Sequence, residues 1–228
     1  ETYRGASWLQ EPEARTLLRS WGIAVPDWVV AASADDCADA AQKFGRPVVL
    51  KLIAQGALHK SDIGGVLLNV EGRSGAADAY RELLARARAA ALTDVRVLVT
   101  PMIRGSAEIV VGAVRDGQFG PAVMVGMGGV LVELLDDVSF RLAPVSQPEA
   151  AEMLDELKGA RLFRGYRGAD PLDIQAIPAL LTRLSVMMAR CPEIREVDVN
   201  PIIVSKDGAF VADARVVLDP AAGFSVEC

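Results

Sequence analysis

With 228 residues, 51% of them hydrophobic and 5% aromatic, the chain is long enough for one large domain or for two lobes with a cleft between them. No apolar run approaches the roughly 20 residues needed to cross a bilayer, so no membrane partner is expected. The net charge of -6 argues against a nucleic-acid partner, because such proteins present a basic face. The three cysteines, Cys37, Cys191 and Cys228, are odd in number and lack metal-ligand spacing, which fits a reducing cytoplasm better than a disulfide framework. Glu1 rather than a methionine opens the chain, and a processed chain or a piece of a longer polypeptide is expected.

In chain order, the spacing of Pro12, Ala14, Leu17, Leu18 and Trp21 predicts a helix from Glu11 that stops at Gly22. A short strand, residues 28–31, follows Pro26. Ser33 then reads as the N-cap of an alanine-rich helix through Phe44, and Gly45 ends it. Strands are expected over 48–53 and 66–70, with a long alanine and arginine helix over about 76–91 and a strand over 95–99. The second half begins at Pro101-Met102 with the alternating run 107–112 and the turn Asp116-Gly117, followed by strands over 122–125 and 130–134. Helices are expected over 149–157 and 174–190. Last comes a hairpin of 197–204 with 210–217, turning at Lys206-Asp207-Gly208. These elements predict an α+β protein of two lobes, residues 1–100 and 101–228, hinged near Thr100-Pro101-Met102.

Several residues read as chemical rather than structural. Lys51 interrupts the apolar run Val48-Val49-Leu50-Lys51-Leu52-Ile53 where a core strand has no use for a charge. The only histidine, His59, stands in His59-Lys60-Ser61-Asp62-Ile63-Gly64-Gly65, and paired glycines allow backbone N–H groups to approach an oxyanion. The loop is not a Walker A sequence, and it reads either as a phosphate-holding loop or as a tight hairpin with solvated lysines. Glu108 reads either as a carboxylate for a ribose or as the exposed side of a half-buried strand. Asp198 and Asn200 share one strand face, and the returning strand carries Asp213, which the register can bring opposite Asn200. Oxygen ligands so paired suit magnesium, which keeps several waters and shares the rest with nucleotide phosphates; a plain solvent face is the alternative. The cluster Gly126-Met127-Gly128-Gly129 places tight backbone near Glu133 and Arg141, either as a cleft wall or as a structural turn. Gly165-Tyr166-Arg167-Gly168 is a weaker anion-loop candidate.

Taken in order, Val48-Val49-Leu50-Lys51, His59-Lys60-Ser61-Asp62-Ile63-Gly64-Gly65-Val66, Phe119-Gly120-Pro121, Gly126-Met127-Gly128-Gly129-Val130, Val132-Glu133, Asp137-Val138-Ser139-Phe140-Arg141 and Asp198-Val199-Asn200-Pro201 resemble the ATP-grasp subunit or domain of NDP-forming acyl-CoA synthetases, relatives of the succinyl-CoA synthetase β subunit. The resemblance runs from Glu11 to Leu218. It implies an ATP-grasp fold whose two α+β lobes clamp a nucleotide, with ATP and Mg2+ as cofactors. By position it implies that Lys51 holds the phosphates, with Lys60, Ser61, Gly64 and Gly65 in the phosphate loop. Backbone near Thr100 and Met102 would meet adenine, and Glu108 the ribose. Asn200 and Asp213 would hold magnesium with Asp198 nearby. His59 would carry a phosphoryl group to a second histidine on a partner, with Glu133 and Arg141 in the catalytic set. Thr100 stands where the family often has glutamine, and Gly56 where it is commonly polar or acidic.

The activity so implied is acid–thiol ligation, ATP + carboxylic acid + CoA ⇌ ADP + phosphate + acyl-CoA, through an acyl phosphate and a phosphohistidine. It requires a CoA-binding subunit or domain carrying the second histidine, because the chain itself holds neither part. The alternative is a regulatory ATP-binding module, without turnover, of a fused synthetase-like or protein acetyltransferase polypeptide. A carboxylate–amine ligase is disfavoured because that chemistry has no need of a histidine in the loop.

Overall fold

A computed structural model describes residues 2–3, 8–54, 63–129, 137–165, 170–219 and 224–225. The first strands are β1 (Thr2–Tyr3) and β2 (Trp8–Leu9), followed by α1 (Glu11–Ser20). Then come β3 (Val29–Ala31), α2 (Ala34–Phe44), β4 (Val48–Ile53), β5 (Val66–Val70), α3 (Gly72–Ala89) and β6 (Arg96–Pro101). The second half holds β7 (Ala107–Asp116), β8 (Gly120–Met127), β9 (Val138–Leu142), α4 (Gln147–Asp155), α5 (Ala160–Phe163) and α6 (Ala176–Arg190). It closes with β10 (Ile194–Ser205), β11 (Gly208–Val211), β12 (Arg215–Leu218) and β13 (Phe224–Ser225). Among the described residues no helix is long and apolar enough to cross a membrane.

The chain forms two compact units, and their boundaries amend the expected division. Pro26–Met102 is one unit, while Glu1–Val25 joins Ile103–Cys228 in the other. Residues 1–25 therefore do not belong with the lobe expected over 1–100. The reason is a strand pair: β2 lies on β12, with Leu9 opposite Val216 and Trp8 opposite Val217, and α1 buries Leu17 and Leu18 in the larger unit's core.

In the smaller unit, four antiparallel strands run in the order β3-β6-β4-β5. Helices α2 and α3 pack on one face through small residues, Cys37, Ala40, Ala41, Ala76 and Ala79, against Leu50, Leu52, Val97 and Val99. Ser33 caps α2 by accepting a hydrogen bond from the Asp36 N–H at 3.1 Å. Gly45 ends that helix at φ 62. Burial pushes the Cys37 thiol up to about 12, so it stays protonated and inert at neutral pH.

The larger unit holds an antiparallel sheet in the order β2-β12-β10-β7-β8-β9, with β11 also on β10. One face is apolar and carries α1, α4 and α6, with Ile109, Val111, Val123, Val125, Leu181, Leu184 and Val199 among its core residues. Strand β9 was not expected. Its residues read in the sequence as part of a site wall, and Val138, Phe140 and Leu142 alternate with Ser139 and Arg141 across the sheet. The expected final hairpin is interrupted, because residues 212–214 leave the ladder between β11 and β12. The strand expected over 130–134 lies outside the described residues.

Gly45 has no atom within 4 Å of where a Cβ would stand, yet its φ is left-handed. A Gly45→Ala variant should therefore lose about 1 kcal/mol from backbone strain alone, read as a lower urea midpoint with an unchanged slope.

Candidate functional site

Each unit holds its own set of the expected site residues. In the smaller unit every residue of β4 is buried, Lys51 included at 6% exposure. Val48, Leu50 and Leu52 point to the helices, so alternation puts Lys51 on the opposite face with Val49 and Ile53. It lies between Val66 of β5 and Leu98 of β6. Gly64 and Gly65 lead into β5 with their carbonyls engaged: Arg86 of α3 donates to Gly64 O, and Leu52 N–H donates to Gly65 O at 2.8 Å. The glycine requirement at Gly64 is explicit, because its φ is 63 and a Cβ would meet the Arg86 guanidinium. Thr100 donates its hydroxyl to Asp27 O at 2.9 Å, and Met102 N–H donates to Pro47 O at 2.8 Å. These bonds fix the end of β6. His59, Lys60 and Ser61 lie outside the described residues.

In the larger unit the acidic set is organised by β10. Asp198 stands opposite Gly112 of β7 and opposite Arg215 of β12. Ile202 stands opposite Val211, and Ala212 N–H donates to Pro201 O at 2.9 Å. One register thus runs on both sides of the interruption, and counting through it brings Asp213 to face Asn200. Asn200 is exposed and Asp213 half-buried. The Asp213 carboxylate accepts from Ala214 N–H at 2.9 Å.

Burial raises the Asp198 carboxyl above its ordinary range; Glu196 and Asp213 add to the rise and Arg215 opposes it. Negative charge gathered in this way favours a cation. No group of three or more His, Cys, Asp or Glu able to hold a metal occurs among the described residues. Two carboxylates and one amide oxygen fit an ion that takes its remaining ligands from water and phosphate.

Arg215 was missed by the sequence reading. It donates to Glu196 at 2.8 Å and stands opposite Asp198. The alternation Asp213-Ala214-Arg215 was the available signal, since it puts Arg215 on the same face as Asp213.

Glu108 is exposed on β7 opposite Ile203. Gly128 packs on its backbone: Gly128 N–H donates to Glu108 O at 2.6 Å, and a Cβ on Gly128 would lie 2.6 Å from the Glu108 Cβ. The glycine cluster therefore abuts Glu108. Glu133 lies outside the described residues.

Arg141 is not brought to the acidic set. It stands opposite Val123 on the helix-bearing face, and its guanidinium pairs with Glu156, which also accepts from the Ser139 hydroxyl at 2.5 Å. That pairing holds the Glu156 carboxyl below its ordinary range. Asp137 takes a comparable structural part, accepting from the N–H groups of Lys158 and Gly159 at 2.7 and 2.8 Å.

A family of ATP-grasp domains matches residues 2–218. The chain belongs to the ATP-grasp family. The β subunit of ADP-forming acetate–CoA ligase I from Pyrococcus furiosus is 39% identical over 214 residues, covering 92% of this chain and 91% of that subunit. The ADP-forming acetate–CoA ligase I of Archaeoglobus fulgidus is 45% identical over 208 residues, which are 90% of this chain and 30% of that longer one. Acetyl-coenzyme A synthetase 1 of Ca. Korarchaeum cryptofilum, solved with coenzyme A and Ca-AMPCP, superposes with a TM-score of 0.90 at 38% identity, covering 94% of this chain and 95% of that one. The same enzyme has been solved with Mg-AMPPCP and a phosphohistidine segment pointing towards its nucleotide binding site, at a TM-score of 0.83. The expected ATP-grasp fold is thereby established, and the sheets of both units are antiparallel.

Because the folded Asp198 carboxyl titrates above its unfolded value, the folded chain holds the proton more tightly, and stability falls as pH rises from the ordinary carboxylate range through the raised one. Asp198→Asn should raise the melting temperature of the metal-free protein at pH 7 and abolish the rise that Mg2+ with a nucleotide analogue gives the wild type. In Gly128→Ala the Cβ must displace Glu108 backbone rather than a flexible side chain, so about 1–3 kcal/mol of stability should be lost, together with nucleotide affinity.

Proposed function

We propose that the chain is the ATP-binding component of an ADP-forming acyl-CoA synthetase, an acid–thiol ligase that acts with a partner subunit or domain. The reaction is ATP + carboxylic acid + CoA ⇌ ADP + phosphate + acyl-CoA. The observation that carries this reading is the register of β10, which sets Asn200 against Asp213 beside the half-buried Asp198, in a chain 39% identical to a β subunit of that enzyme class.

Phosphoryl transfer asks little covalent chemistry of a protein and much positioning and charge neutralisation. In this reading Lys51, fixed on a fully buried strand, meets the nucleotide phosphates, with Lys60, Ser61, Gly64 and Gly65 alongside. Thr100 and Met102 border the adenine and Glu108 accepts from the ribose. Asp198, Asn200 and Asp213 hold Mg2+, which when bound neutralises phosphate charge. His59 takes the phosphoryl group on an imidazole nitrogen, exchanging it with the nucleotide and with a second histidine of the partner. Glu133 belongs beside the reacting phosphate, and Arg141 orders that wall through Glu156. The partner supplies the CoA and carboxylic acid sites. In the Archaeoglobus relative, 70% of the polypeptide lies outside the matched region, which leaves room for such parts. A cytoplasmic location follows from the substrates and agrees with the buried free thiols of Cys37 and Cys191.

Incubation with γ-labelled ATP, Mg2+ and the partner should place acid-labile phosphate on the chain. The label should vanish in His59→Ala and fall by about 100-fold or more in Lys51→Ala. Nucleotide binding without label in any mixture would sink the synthetase reading.

A further inference from the structure

Arg15 is the largest fully buried side chain among the described residues, at 0% exposure. It lies on α1, far in sequence from every residue of the acidic set. Its Nε and one terminal nitrogen donate to Glu11 Oε1 at 3.0 and 2.8 Å, one helical turn back, where Glu11 is itself 3% exposed. The same terminal nitrogen donates to the carbonyl of Ala212 at 2.8 Å. Ala212 immediately precedes Asp213 and opens the interruption between β11 and β12.

The Ala212 backbone is thus held on both sides. Its N–H donates to Pro201 O on β10, and its carbonyl accepts from α1. The ladder does not continue through residues 212–214, so strand pairing alone leaves this segment less constrained than its neighbours. We infer that Arg15, braced by Glu11, is a positioning residue that fixes the Ala212–Ala214 segment and so aims the Asp213 carboxylate at the metal held with Asn200. This rests on the metal-binding role proposed above for Asp213.

Stability alone gives no reason for the arrangement. Two buried charges lose their hydration, and apolar residues of the same volume commonly serve a core as well or better. An apolar pair, however, removes the donor that Arg15 gives the Ala212 carbonyl. The planar fork of arginine serves the carboxylate and the carbonyl together, which the single ammonium of lysine does less well.

The test uses the full-length protein in two variants, Arg15→Lys and the volume-matched pair Glu11→Leu with Arg15→Met, the second leaving no unpaired charge. Binding of a non-hydrolysable ATP analogue is titrated by calorimetry against Mg2+, and again in EDTA, well below the melting temperature. The half-saturating Mg2+ concentration should rise about 10-fold or more in the double variant and by less in Arg15→Lys, while metal-free nucleotide affinity stays at the wild-type value. A folded double variant with wild-type Mg2+ dependence overturns the inference, and so does failure of both variants to fold, which would make the pair purely structural. Asp213→Asn separates the two readings. If it too keeps wild-type Mg2+ dependence, the metal assignment fails and this inference with it; if it alone loses that dependence, only the role of Arg15 is refuted.

Discussion

The larger unit depends on how β10 meets two demands at once. For twelve residues it must bury alternate side chains against helices and leave the others facing away. Val197 and Val199 are buried before Asn200-Pro201, and Ile202 and Val204 after it. An even spacing of two cannot satisfy both runs. The pairing with β7 therefore shifts between Val199 opposite Val111 and Ile202 opposite Ile109, which places one extra residue on β10. Asn200 sits in that irregularity, where the ladder is locally open and a polar side chain is tolerated. The partner strand breaks at the same level, around Asp213. The acidic set thus occupies the place where the sheet changes phase.

The smaller unit reaches the same end by a different route. Its β4 is buried on both faces, so Lys51 cannot escape to solvent as a surface lysine would. Alanine-rich helices let the sheet and its cover approach closely on one side, and the lysine is left to the other. Rigidity around the charge comes from the strands: Val66 and Leu98 flank it in the ladder, and the hydroxyl of Thr100 ties the neighbouring strand to Asp27.

Local features were the legible ones. The bounds of β4 and β5 follow from apolar runs, and the Ser33 and Gly45 caps of α2 from residue type alone. The facing of Asn200 and Asp213 was also legible, because a hairpin register is arithmetic once its turn is known. Non-local pairing was not. Nothing near Trp8 and Leu9 announces that their partner strand lies some two hundred residues later, and so the first segment was grouped with the wrong unit. Strand β9 carries Ser139 and Arg141 on its helix side, polar residues that obscure the alternation until Glu156 is seen to receive them. For the same reason Arg141, read beside the glycine cluster as part of a cleft wall, stands instead on the helix-bearing face with Glu156. Arg15 gave no sign at all, since a basic residue on an amphipathic helix ordinarily marks the wet side.

The assignment of Glu1–Val25 to the same body as Ile103–Cys228 bears on how the protein is made. Residues 26–102 form a continuous stretch and can complete their fold as soon as they leave the ribosome. The larger body is different. Helix α1 and β2 are synthesised before residues 26–102, yet the strand that pairs with β2 is synthesised well after them. Until then the apolar stripe of Leu17 and Leu18 lacks its full native cover, and this segment must wait while residues 26–102 and the strands beyond them are made. A late-closing body interrupted in sequence by an early-folding insert is more exposed to chaperones and proteases in its first segment than in its later one.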